Sequence, residues 1–141
     1  MTVGSPRSTK KAWLQLTLIT GLLFAGVARA DDLAGLWATN AENCRKIFTR
    51  TGQGFAFADD ADLYGSGFII DDRRIISKMA RCDIKSSKHD GPTTHLIAAC
   101  ATDIMFSNVQ ASFKMLSKDK MLRIFPGVSD LEIPFERCAL N

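Results

Sequence analysis

No residue constellation for catalysis is present in these 141 residues. Histidine is scarce, with His89 and His95 the only two. His89 falls in a turn and His95 on a strand, and the nearest acid, Asp90, is a turn neighbour of the kind that rarely makes a catalytic pair. Ser66 sits in Tyr64-Gly65-Ser66-Gly67, which lacks the full G-x-S-x-G pattern and its following helix. Glycines at a strand entry or bulge account for that run. No two of the four cysteines are closer than 18 positions, whereas a four-thiolate zinc site uses close pairs. The longest apolar run, 12–27, is 16 residues and is broken by Gln15, Thr17 and Thr20. A membrane-spanning helix needs about 20.

That run has a different meaning. Arg7, Lys10 and Lys11 precede it without an acid, and Ala28-Arg29-Ala30 follows it. A basic stretch, a short apolar stretch and an A-x-A site together read as a secretory signal peptide over 1–30. The residue after the site is Asp31, not a lipid-accepting cysteine, and no paired arginines precede the run, so the general secretory route is expected. The formal charge of +3 rests on 18 basic and 15 acidic side chains. Residues 1–30 carry four of the basic ones (Arg7, Lys10, Lys11, Arg29), which leaves 14 basic against 15 acidic in the 111 residues 31–141, a net charge of −1. Nucleic-acid binding needs a basic face, so it is not expected. The expectation is one exported domain over 31–141, periplasmic or secreted, and not membrane-spanning once the leader is removed.

All four cysteines, Cys44, Cys82, Cys100 and Cys138, lie in the exported part, which implies two disulfides. Their spacings are 38, 18 and 38. A nested pairing, Cys82 with Cys100 and Cys44 with Cys138, is centred on Gly91 in the turn run His89-Asp90-Gly91-Pro92. If that turn joins two strands, Cys82 faces Cys100. A duplication of period 56 would instead pair Cys44 with Cys82 and Cys100 with Cys138. Gly35/Gly91, Phe57/Phe113 and Arg81/Arg137 match at that offset. The hairpin gives the nested scheme an independent geometric reason.

The domain reads as mainly β. A first strand is expected over 33–39, then a short helix over 41–49, opened by a capping box from Thr39 to Glu42. Phe55 and Phe57 alternate, Phe68-Ile69-Ile70 follows Gly67, and residues 71–74 turn the chain into Ile75-Ile76. Ala80, Cys82 and Ile84 share one face, and so do Leu96, Ala98 and Cys100. Residues 105–116 alternate as a long half-buried strand. Leu131, Ile133 and Phe135 mark the last strand, where Pro134 leaves one side locally unpaired. About eight strands in an antiparallel meander can close, wholly or partly, into a small barrel.

Leu33-Ala34-Gly35-Leu36-Trp37 resembles the G-x-W opening of the lipocalin-like (calycin) barrels. Among exported bacterial proteins the chain is similar to the small metalloprotease-inhibitor barrels, and to small exported proteobacterial proteins with no assigned role. The resemblance covers the motif, the size and the strand count. It implies a barrel that holds a ligand or inhibits a protease. In the inhibitor family an N-terminal tail enters the protease cleft, but here only residues 31–34 precede Gly35, and the cysteine spacing differs.

Trp37, Phe55, Phe57, Phe68, Phe113 and Phe135 are the candidates for a pocket lining, against the plainer alternative that they fill the core. Asp60, Asp62, Gly65 and Asp71 fall at positions 1, 3, 6 and 12 of a calcium-loop frame, but Tyr64 and the terminal Asp break it, and a solvated acidic loop is the better account. No catalytic residue, metal or cofactor is assigned. The expected function is a non-enzymatic binding module for a small apolar ligand or an unknown protein partner such as a secreted hydrolase, contacted through residues 59–67 and 87–93. An envelope assembly role is the alternative, and a small hydrolase using Asp90 and His95 a more distant one.

Overall fold

The structure, a computed structural model, describes residues 1–4, 33–128 and 131–140. The proposed leader lies almost wholly outside them. Among the described residues no helix is long and apolar enough to cross a membrane.

Ten strands form among the described residues: β1 (Gly35–Ala38), β2 (Phe48–Thr51), β3 (Gly54–Phe57), β4 (Gly67–Ile70), β5 (Arg74–Ile76), β6 (Arg81–Asp90), β7 (Thr93–Ala101), β8 (Phe106–Ser117), β9 (Lys120–Ile124) and β10 (Glu132–Arg137). Eight of them close an antiparallel barrel in the order β1-β10-β9-β8-β7-β6-β5-β4. From β4 to β10 the chain is the expected meander, and β1 closes it by pairing both β4 and β10. β2 and β3 make a separate ribbon outside the wall.

Alternation decides what fills the barrel. Trp37, Phe68, Ile70, Ile75, Leu96, Phe113, Met121 and Phe135 point inward and are buried. Phe68 packs on Phe135 at 4.9 Å and edge-on to Phe113 at 5.8 Å between ring centroids. Trp37 donates its Nε1–H to the Leu33 carbonyl at 2.7 Å, so its one polar atom is satisfied inside. Each such side chain contributes about 1.5–3 kcal/mol by leaving water.

β1 and β4 are apolar without alternation because both of their faces are covered. Leu36 and Ala38 point out of the barrel into a second core with Ile47, Phe48, Ala61, Cys44 and Cys138, against which Ile69 packs. Gly67 permits that packing: a Cβ there would lie 2.7 Å from the Phe48 ring and 2.7 Å from the Trp37 carbonyl.

The helix is shorter than its pattern predicts, and its cap is different. A 3-10 turn (Ala41–Asn43) leads into α1 (Cys44–Ile47), and Phe48 already begins β2. Asn40, not Thr39, caps it by accepting from the Glu42 N–H at 2.9 Å. Thr39 Oγ1 instead accepts from the Ser66 N–H at 3.2 Å, holding the start of β4 to the end of β1. Asn competes well for a cap position, and the residue nearest the turn wins.

Both disulfides follow the nested scheme, Cys44–Cys138 and Cys82–Cys100, so the period-56 duplication is not followed. The hairpin centre, however, is not Gly91. Asp90 pairs with Thr93, so the loop is Gly91-Pro92, with Gly91 at φ +56°. A left-handed glycine followed by proline suits a type II′ turn. Taken alone, that turn would put Cys82 opposite Ala101. A bulge between Ile84 and Ser86 removes Lys85 from the register and brings Cys82 back onto Cys100. In the chain-entropy account the short loop contributes on the order of 3 kcal/mol and the long one about 5.

Two other details follow from local chemistry. Asp71 closes the β4–β5 turn by accepting from the Arg73 and Arg74 amides and from the Arg74 guanidinium. Burial works against its carboxylate, but the Arg73 amide and then Arg74 outweigh it and hold the pKa below the ordinary aspartate value. Pro134 pairs with Leu122 of β9, while on its other side β10 meets β1 only from Glu136 onward, so the missing N–H interrupts no ladder.

Candidate functional site

Chain direction divides the barrel into two ends. One carries the end of β1, the β5–β6 turn 77–80, the β7–β8 turn 102–105 and the exit of β9. The other carries the β4–β5 turn, Gly91-Pro92 and residues 118–119. At the first end the barrel opens on a hollow of about 340 Å³ lined by Phe57, Phe68, Met79, Arg123, Ile133 and Phe135, with Ser66, Ser77 and Lys78 among its polar groups.

On the flank, a groove of about 1050 Å³ runs between the β2–β3 ribbon and the wall. Phe55, Phe57, Ile69 and Ile76 are among its apolar lining, with Arg74, Lys78, Arg81 and Asp103 supplying charge. Phe57, Ser77, Lys78 and Met79 line both spaces, so mouth and groove adjoin across the β5–β6 turn. Lys78 straps the turn to the ribbon's exit by donating from Nζ to the Ala58 and Asp59 carbonyls at 2.7 and 2.8 Å. Met79 stands 77% exposed beside it.

Arg123 lines the mouth and is not among the candidates drawn from the sequence. It shares the inward face of β9 with buried Met121 and pairs with Phe113 of β8. Its guanidinium lies 5.4 Å from the Phe68 ring centroid and 4.7 Å from that of Phe125. Among the described residues it forms no ion pair, and burial lowers its pKa. An alternating strand that reads Met121, Leu122, Arg123, Ile124 places a cation among inward positions, which is the one signal that could have found it.

The six aromatic candidates do not share one cavity. Trp37 and Phe113 are sealed in the core, Phe68 and Phe135 reach from the core to the mouth, Phe57 lines both mouth and groove, and Phe55 lines the groove alone. The four cysteines are structural bridges. His95 Nδ1 shares a hydrogen bond with Ser112 Oγ at 2.8 Å, and His89 Nδ1 with Thr94 Oγ1 at 3.0 Å. Ser112 is 0% exposed, so its hydroxyl meets no substrate. Asp60 precedes and Asp62 lies within the 3-10 turn (Ala61–Leu63), whereas β4 carries Asp71 to the other end of the barrel. No group of three or more His, Cys, Asp or Glu side chains suited to a metal gathers among the described residues.

Residues 59–67 border the mouth, while 87–93 form the tip at the opposite end. The two loops therefore do not make one contact surface. Comparison with protein-family models, curated proteins and solved structures finds no match for the chain.

Proposed function

We propose that the protein is an exported binding module that holds a small, largely apolar molecule at the barrel mouth, with the flank groove as the way in. The observation that carries this reading is the continuity of the aromatic-lined mouth with the mixed polar and apolar groove across the β5–β6 turn. The mouth falls within the size of ligand sites, roughly 300–1,000 Å³. A closed barrel opening on Gly35-Leu36-Trp37 supports the likeness to lipocalin-like carriers. Two disulfides suit an oxidising compartment such as a periplasm. The hydrolase-inhibitor reading is weaker, because its two contact loops lie at opposite ends.

The test is titration with a neutral apolar fluorophore, N-phenyl-1-naphthylamine. Saturable one-to-one binding is expected in the wild type, with its loss in Ile133→Trp, which fills the mouth. Absence of saturable binding to the wild type, both of this probe and of its anionic counterpart 1-anilinonaphthalene-8-sulfonate, overturns the reading.

A further inference from the structure

We infer that the mouth selects an apolar molecule with one anionic group, such as a medium-chain carboxylate, and that Arg123 receives the anion. This rests on the proposed binding function. The mouth's apolar lining comes from Phe57, Phe68, Met79, Ile133 and Phe135. Its cations are Lys78 and Arg123, which differ in what they already hold. Lys78 Nζ is engaged by two carbonyls. The Arg123 guanidinium has aromatic faces on two sides and no oxygen acceptor among the described residues.

The aromatic faces hold the cation electrostatically but accept none of its in-plane N–H bonds. A half-buried guanidinium with unfilled donors carries a desolvation cost that a carboxylate relieves by accepting two of them at once. Asp62 is the acid of the lining; it is exposed and forms no ion pair with Arg123. The place for an anion is therefore not taken by the protein's own carboxylates. A neutral apolar ligand would leave the guanidinium further desolvated and still unpaired, so the site discriminates against it. The tail of the ligand would lie against Phe68, Phe135 and Ile133.

The test is calorimetric titration of the purified protein with decanoate and with 1-decanol, which share a tail and differ in charge. Decanoate is expected to bind at least about tenfold more tightly, the difference one charge-assisted pair supplies. Arg123→Met should erase that preference while retaining decanol, and Arg123→Lys should keep part of it. Equal affinities in the wild type overturn the anion assignment and leave the apolar site standing. So does an unaltered preference in a folded Arg123→Met protein. If neither ligand binds, the binding-module reading itself falls. The wild-type comparison decides the matter even if the variants do not fold.

Discussion

Gly35 shows how one residue's freedom positions another's charge. Its φ is +143°, and a Cβ there would come within 2.5 Å of Arg137 Nη1. Arg137 uses that gap to donate from Nη1 to the Ala34 carbonyl and from Nε to the Lys118 carbonyl, while its guanidinium covers the Trp37 ring at 4.2 Å. The last strand is thereby clasped to the first across the bottom of the core. Arg137→Met keeps the length and removes the donors, so it leaves the part-buried Ala34 carbonyl short of a partner, while water can take the exposed Lys118 carbonyl. A loss of about 1 kcal/mol or more is expected in urea denaturation. A midpoint unchanged from wild type would show that the clasp adds nothing. Gly35 and Trp37 are legible in the sequence as a motif. Arg137 is not, since its only mark there is a chance match to Arg81 at an offset the fold does not use.

At the scale of the element, alternation made strands easy to find and their ends hard to place. β10 follows its period-two pattern because one face is wet, whereas β8, which alternates in sequence, is exposed on both faces over 106–110 and buried on both over 111–113. β1 and β4 carry no such pattern because a second core covers their outer faces, and the ribbon that supplies it could not be foreseen from Phe55 and Phe57 alone. The bulge at Lys85 is invisible in the sequence for a simple reason: an extra residue in a polar stretch changes no hydrophobic count. Its consequence is nevertheless large. Side chains alternate, so a one-residue slip turns a strand inside out. Deleting Lys85 removes the extra residue itself: Ile84 stays opposite Ala98 and Ser86 opposite Ile97, so the Gly91-Pro92 turn and the Cys82–Cys100 pair both keep their partners in a regular ladder. A fully bridged protein, read by alkylation and mass spectrometry without reduction, is the expected result. Free thiols at Cys82 and Cys100 would mean that the hairpin needs the bulge to hold its register.

Closure of the whole molecule is uneven, because β6, β7 and β8 are longer than the strands flanking them. Two stretches therefore lack an outer neighbour among the described residues: β6 beyond Ile84, and β8 before Ser112. The two are protected differently. The β6 stretch carries Lys85, Lys88, His89 and Asp90, and charge keeps an open edge from pairing with another chain. Residues 106–113 of β8 carry no charge, and Ile104, Met105 and Phe106 at its entry are 91, 56 and 88% exposed. The direction of the free groups can be worked out. Cys82 and Cys100 form a narrow pair with Cα atoms 3.9 Å apart, so the Cys100 backbone bonds toward Ser107 of β8. Odd-numbered residues of β8 thus bond to β7, as the Met115 N–H does to the Pro92 carbonyl at 2.9 Å. Phe106, Asn108 and Gln110 are left to present their N–H and C=O groups outward. Two such edges can pair antiparallel about Asn108 without meeting a like charge, so self-association rising with concentration is expected in sedimentation equilibrium. Asn108→Lys places two cations face to face at that centre and should shift the protein toward monomer without lowering its melting temperature. The same concentration dependence in wild type and variant would place any self-association on another surface.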